Sequence, residues 1–418
     1  MLESQERMFG SLFPCGNSCA QHIPQAANPE TKPHPVMRNT NVSITNLFTR
    51  SKAVPFSPML AVVAALSVWI NGQSLAQTLP YAETFNAGTA AGWTVLDTLG
   101  LLISQPGSVA FPGGNTYNLA HPAISSQAFI SSVGPARMSS WAPTRTTNQF
   151  QMSVDVLDLP QDLTLTTTRL RQKIALTAHA RDIGPGTTAG YTFHYLPLAG
   201  LLPGAGNGFE ISREFGEVYQ GWMTGDYSGP YPDANWYPGC NSSKTYTMDP
   251  AKDYRMVFLG SELRFEGRVY DLADLSKPVL ITMCNFSQTA NTAIGFTDGL
   301  AGIEVVNIFG ANAVPENGVY TGPCNATLDN FSVSDTYTAF PGTPSVPSLS
   351  VNSSSGTNIV AWPGETLGLW AMEQSPALGA GAVWTDVPLW TIEYDAASGL
   401  RKHIATNSPA GFYRLRKL

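Results

Sequence analysis

Two glutamates lie four residues apart in the segment Gly208–Phe215, which reads GFEISREF. Side chains of a β-strand alternate between its faces, so Glu210, Ser212 and Glu214 are predicted to share one face. Two carboxylates hydrolyse a glycosidic bond with retention when their carboxyl groups lie about 5–5.5 Å apart. In a flat strand the two Cα atoms are roughly 13 Å apart, so the side chains would have to lean together or the strand would have to bend. A catalytic pair and a solvated strand face therefore both remain open.

The same segment resembles the catalytic strand of family 16 glycoside hydrolases, which are jelly rolls. That strand reads Glu, a hydrophobic residue, Asp, any residue, Glu. The resemblance implies Glu210 as nucleophile and Glu214 as acid and base, with Ser212 where the family has Asp. The missing carboxylate would help to hold the protonation states of the pair apart. We therefore favour a protein without catalysis and keep a divergent hydrolase as the alternative.

A second candidate site is an aromatic segment, residues 219–237, which is also rich in Gly, Asp and Pro. This composition indicates a loop, and exposed rings beside polar groups suit the apolar face and polar rim of a sugar. The alternative is a loop that packs on its own aromatic side chains. The predicted ligand-binding residues are Tyr219, Trp222, Tyr227, Tyr231, Trp236 and Tyr237.

Metal and cofactor signals are weak. Asp155, Asp158 and Asp162 cluster near a predicted strand end, but the chain has no Asp-x-Asp-x-Asp-Gly loop. We expect no cofactor, with calcium at these aspartates as the alternative.

Three cysteines follow the N-terminal region. Cys240 and Cys324 lie in turn-like segments and are predicted to form a disulfide, as an exported protein favours. Cys284 lies in an apolar strand and is predicted to be an unpaired thiol of the core.

Composition favours an exported all-β protein. Charged residues make up only 13% of the chain, Gly and Pro are frequent, and the net charge is −7. The chain has no basic run, so we expect no nucleic-acid partner.

The N-terminal region has the three parts of a secretory signal. Residues 1–58 lack periodicity and are predicted to be disordered or an over-extended gene start. Met59–Ile70 is apolar but too short for a comfortable membrane span, and Ser74-Leu75-Ala76 fits a cleavage site. We predict a signal peptide over 59–76, no membrane span after its removal, and a secreted or cell-surface protein. A retained N-terminal membrane anchor is the alternative.

Short alternating segments predict a two-sheet jelly-roll sandwich over 77–340. Its central part, Asp253–Phe286, reads as three strands, with Phe265 and Val269 on a buried face and Glu266 and Arg268 on a wet face. A Pro-rich linker over 341–347 and a small β-sandwich module over 348–418 follow.

The segments YAETFN, YRMVFLG, LRFEGRVYDL and TLDNFSVSD together resemble the concanavalin A-like, laminin-G-like jelly rolls of secreted bacterial proteins. The ending FYRLRKL, with WAMEQSPAL before it, resembles the C-terminal module of exported proteins from polysaccharide-degrading bacteria. Both resemblances imply an extracellular setting and a polysaccharide or cell-surface glycan as partner. We expect an exported carbohydrate- or surface-binding protein. The alternatives are the divergent hydrolase and a structural surface protein without a small ligand.

N-terminal sequencing of the exported protein checks the predicted signal. The mature chain should begin at Gln77, because cleavage follows Ala76. A mature protein that retains Met59–Ile70 would instead indicate a membrane anchor.

Overall fold

The structure is a computed structural model. It describes residues 78–97, 107–121, 137–159, 171–181, 189–196, 208–214, 244–286, 296–308, 324–339, 343, 346–354, 357–406 and 411–418. The predicted signal and the aromatic segment 219–237 lie outside these residues, so those predictions stay untested.

The first part of the chain forms a sandwich of two antiparallel sheets, as predicted. Its strands are β1 (Tyr81–Glu83), β2 (Thr94–Asp97), β3 (Ser108–Ala110), β4 (Tyr117–His121), β5 (Arg137–Thr146), β6 (Gln149–Asp158), β7 (Arg171–Arg181), β8 (Ala189–Leu196), β9 (Gly208–Glu214), β10 (Lys244–Thr245), β11 (Tyr254–Ser261), β12 (Arg264–Asp271), β13 (Leu280–Asn285), β14 (Gly299–Ile308) and β15 (Cys324–Ser334). Sheet 1 has the order β13-β12-β11-β6-β15-β4-β3, with β1 also on β15, and sheet 2 has the order β10-β9-β8-β7-β14-β5-β2.

Alternating apolar side chains of both sheets meet in one core. The inward positions of β6 and β11 include Met152, Val154 and Phe258, all fully buried. Gly267 of β12 lets the sheets approach closely, because a Cβ there would lie 2.3 Å from Cε2 of Phe193 on the opposite sheet. Close packing of this kind leaves no room for an added methyl group without a shift.

The C-terminal part forms two smaller sheets. Its strands are β16 (Ser350–Ser354), β17 (Thr357–Pro363), β18 (Trp370–Ser375), β19 (Thr385–Asp386), β20 (Ile392–Asp395), β21 (Leu400–Thr406) and β22 (Phe412–Lys417). Sheet 3 has the order β16-β17-β21-β20 and sheet 4 the order β19-β18-β22.

The prediction that one face of β12 is exposed to solvent is wrong. Phe265 and Val269 do face the core, but Glu266 and Arg268 on the other face are also buried. The reason is that the C-terminal sheets pack against this face. Ile281 and Met283 of the neighbouring β13 join one apolar cluster with residues of sheets 3 and 4, among them Val360, Trp362 and Met372.

Ion pairs complete this junction. Glu266 accepts hydrogen bonds from Arg268 Nε at 2.6 Å and from Arg401 Nη1 and Nη2 at 2.7 and 2.6 Å. Arg268 also contacts Glu365 at 3.3 Å, and Tyr270 donates to Glu365. Burial by itself would raise the pKa of Glu266, but Arg268 and Arg401 together hold it below its usual value. The charges are therefore paired inside the protein, which is the condition for burying them.

Cys284 is also not the unpaired thiol that we predicted, because it is disulfide-bonded. Cys240 and the side chain of Cys324 lie outside the described residues, so their pairing remains a prediction.

Among the described residues, none belongs to a helix with the length and apolar character that a membrane span requires.

Replacing Arg401 by Met should destabilise the protein by about 3–5 kcal/mol, because it leaves Glu266 buried with half of its pairing removed. Arg414→Met is the matched control: the side chain of Arg414 is 47% exposed in its ion pair with Glu373, and a pair at the surface contributes about 1 kcal/mol or less. Urea unfolding of both variants gives the comparison. Equal losses would show that solvent reaches the Glu266 network.

Candidate functional site

The outer face of sheet 2 carries polar side chains on five neighbouring strands. Core residues such as Phe209, Phe193 and Leu176 point the other way, so alternation places their neighbours on this outer face. Strand pairing brings Glu210 beside His194, Ser212 beside Thr192, and Thr192 beside Thr177. We call the following set the polar face: Ser139, Trp141, Lys173, Thr177, Thr192, His194, Glu210, Ser212 and Glu304.

The residues of the polar face are buried although they point away from the apolar core. Glu210 is 9% exposed and each of the others is at most 2% exposed. An outer sheet face is usually either polar and solvated or apolar and covered. A face that is both polar and buried is costly unless its groups are satisfied.

Trp141 Nε1, Thr177 Oγ1 and His194 Nε2 of this face are buried and have no hydrogen-bond partner among the described residues. They lie on β5, β7 and β8 respectively. Each unsatisfied buried group costs about 1–3 kcal/mol. All three lie on the outer face of sheet 2.

Hydroxyl groups and a neutral imidazole form a chain at the β8–β9 pair. Thr192 Oγ1 lies 2.9 Å from Ser212 Oγ and 3.2 Å from His194 Nδ1. His194 Nε2 lies 3.9 Å from Glu210 Oε2, beyond hydrogen-bond range. Burial, with the positive charge of Lys173 adding to it, holds the pKa of His194 well below its usual value. His194 is therefore neutral at physiological pH.

The centre of the face adds a carboxylate and an indole. Ser139 Oγ donates to Glu304 Oε1 at 3.4 Å. The ring of Trp141 lies over Gly302, where a Cβ would come within 2.5 Å of Cε3 of the indole. Glycine at this position thus allows the indole to lie against the sheet.

The structure brings Glu210 together with Ser212 on one face, as the alternation predicts. Glu214 ends β9, and its side chain lies outside the described residues, so a Glu210–Glu214 pair stays a prediction. The six aromatic residues of the segment 219–237 are likewise untested as ligand contacts.

The predicted metal ligands lie on the other sheet. Asp155 accepts hydrogen bonds from Arg255 Nε at 2.6 Å, Arg255 Nη2 at 2.8 Å and Asn330 Nδ2 at 2.8 Å. Asp158 is exposed at the end of β6, and Asp162 lies outside the described residues. Within the described ranges, no three His, Cys, Asp or Glu side chains are arranged to hold a metal ion. Calcium binding remains an untested alternative.

Sequence reasoning missed most of the polar face. Thr177, Thr192, His194 and Glu304 each alternate with buried apolar residues, so they look like the wet positions of ordinary strands. One signal was available in the sequence. These positions carry hydroxyl groups on several strands and few of the charged residues that are typical of exposed positions, which predicts a face that is not freely solvated.

The chain matches no known family model and no curated protein. Among solved structures it is similar to a Bacillus subtilis protein of unknown function with a galectin-like fold. The two chains are 11% identical, the TM-score is 0.38, and the match covers 61% of this chain and 94% of the other. A carbohydrate-binding module from Bacillus subtilis is 12% identical with a TM-score of 0.30, and the match covers 59% of this chain and 96% of that module. A glycosyl hydrolase family protein from Mycobacterium fortuitum is 12% identical with a TM-score of 0.31, and the match covers 60% of this chain and 98% of that protein.

The neutral state of His194 predicts a pH dependence of stability. The pKa of His194 is lower in the fold than in the unfolded chain, so its contribution is complete above about pH 6.5 and is lost as the pH falls below it. His194→Gln cannot protonate and should reduce the slope of unfolding free energy against pH by up to about 1.4 kcal/mol per pH unit below pH 6.5. Urea unfolding from pH 7 to pH 5 measures this slope. An unchanged slope would mean that His194 is solvated and titrates normally.

Proposed function

We propose that this protein is an exported, non-catalytic carbohydrate-binding protein and that the polar face of sheet 2 is its glycan-binding surface. The observation that carries the proposal is the set of unpartnered atoms at Trp141, Thr177 and His194, which are buried on one face of one sheet. A ligand that supplies their hydrogen bonds would remove the cost of leaving them unsatisfied.

Sugar hydroxyls fit these atoms chemically. Each hydroxyl both donates and accepts a hydrogen bond. The indole N–H of Trp141 only donates, the hydroxyl of Thr177 does either, and a neutral imidazole offers one donor and one acceptor nitrogen. A ligand with many hydroxyls can satisfy all three groups, whereas an apolar ligand would leave them unsatisfied.

The described neighbours of Glu210 support binding without catalysis. His194 is the described imidazole nearest to Glu210, and its low pKa keeps it unprotonated at neutral pH. Hydrolysis needs an acid that still holds its proton at the working pH. The predicted partner of Glu210 in a divergent hydrolase, Glu214, would have to supply this acid from four residues away on the same strand.

Export supports a glycan as the ligand class. The predicted signal over 59–76 delivers the mature chain outside the cytoplasm, where polysaccharides and cell-surface glycans are abundant. The aromatic segment 219–237 remains a proposed second contributor, because stacking on exposed rings and hydrogen bonding to a polar face serve the same ligand.

Thr177→Val tests the proposal through two opposite effects. Removing an unpaired buried hydroxyl should stabilise the fold by about 1–3 kcal/mol, while the loss of one ligand hydrogen bond should weaken glycan binding by about 5-fold. Thermal unfolding measures the first effect. Affinity electrophoresis in laminarin, xylan, mannan, inulin and dextran measures the second.

Thr144→Val is the matched control. Thr144 is also a buried threonine with an unpartnered hydroxyl, but it is not part of the polar face, and Ala142 two residues before it on β5 belongs to the core. This variant should gain stability and keep full retention. If both variants bind like the parent protein, the polar face is not the glycan-binding surface.

A further inference from the structure

The disulfide at Cys284 joins a buried position of the sandwich to another part of the chain. Cys284 lies on β13, is 1% exposed, and packs with its side chain in the core between the two sheets. It is disulfide-bonded. A disulfide requires its two Cα atoms to lie within about 7 Å of each other, so the partner must reach the inner side of β13.

Cys324 is too far away to be this partner. Four steps across sheet 1 separate β13 from β15, on which Cys324 lies, and these steps span roughly 19 Å. The pairing register also places Cys284 level with Phe150 of β6, whereas Cys324 lies beyond Asp158 of the same strand. Eight residues along β6 add roughly 26 Å.

The remaining cysteines of the chain are Cys15, Cys19 and Cys240. Cys15 and Cys19 precede the predicted cleavage site after Ala76, so the mature chain would not contain them. Elimination therefore leaves Cys240.

The strand that follows Cys240 lies beside β13. β10 begins at Lys244, four residues after Cys240, and pairs with β9 at the edge of sheet 2. β13 is an edge strand of sheet 1, and Cα atoms of β10 lie within 8 Å of it. Four residues of extended chain span up to about 14 Å, so Cys240 can reach β13 from this edge of the sandwich.

We infer that Cys240 is the disulfide partner of Cys284, and that the bond ties the segment leading into sheet 2 to the edge of sheet 1. When it forms, the two thiols lose two electrons and two protons to the disulfide of a thiol–disulfide oxidoreductase, which becomes a dithiol. Such disulfides persist in oxidising compartments, which accords with the predicted export. Cys240 cannot bond Cys324 as well, so this pairing and the predicted Cys240–Cys324 bond are alternatives.

Peptide mapping without reduction distinguishes the pairings. The full chain is expressed and exported, and the product is denatured while its free thiols are alkylated. It is then cleaved with trypsin and a glutamate-specific protease together. Cleavage after Lys, Arg and Glu, but not before Pro, separates Cys240, Cys284 and Cys324 into the peptides 218–244, 269–304 and 317–365.

Mass spectrometry should find the peptide 218–244 linked to 269–304, in a product that dithiothreitol separates. The peptide 317–365 should be alkylated and unlinked. A link between 269–304 and 317–365, a link to a peptide that contains Cys15 or Cys19, or an alkylated Cys284 would overturn the inference. These outcomes are read in the unsubstituted protein, so they do not depend on whether a variant folds.

Cys240→Ala, with Cys324→Ala as its matched control, adds a readout on stability. Cys240→Ala should leave Cys284 alkylated and lower the midpoint of thermal unfolding by roughly 5–10 °C, because the bond restricts the unfolded chain. Cys324→Ala should keep both the link and the midpoint. Loss of the link in Cys324→Ala would also overturn the inference.

Discussion

The paired charges of Glu266, Arg268 and Arg401 are the interaction on which the arrangement of the chain depends. They lie between sheet 1 and the C-terminal sheets, where almost no solvent reaches them. A charge buried without a partner is strongly destabilising, so each group requires the others to be in position. The packing of the C-terminal part therefore satisfies charges that the sandwich alone would leave in the wrong environment.

Sheet 1 is covered on both of its faces. Val257 and Leu259 of β11 pack outward with Leu369 of the C-terminal part, while Met256 and Phe258 of the same strand pack inward. Sheet 2 instead carries hydroxyl, imidazole and carboxylate groups outward. Apolar and paired residues stabilise the junction, whereas the unpaired polar atoms of sheet 2 lower stability.

Much of the sandwich could be predicted because strand alternation is a local property. The inward positions of β12 follow from the period of two in the sequence, and the core contains the predicted Phe265 and Val269. The candidate site was harder to predict. Glu210 drew attention as half of a carboxylate pair along one strand, but its described neighbours, His194 and Thr192, lie across strand pairs that no sequence spacing reveals.

The sequence by itself determined which residues share a face, because neighbouring side chains of a strand must point to opposite sides. It also determined the all-β character, through short alternating segments separated by Gly- and Pro-rich turns. Only the tertiary structure decided which faces are buried. Glu266 looks solvated on its own strand, and its environment is set by Arg401, which follows 135 residues later in the chain. Burial depends on what packs above a residue, and that contact comes from distant parts of the chain.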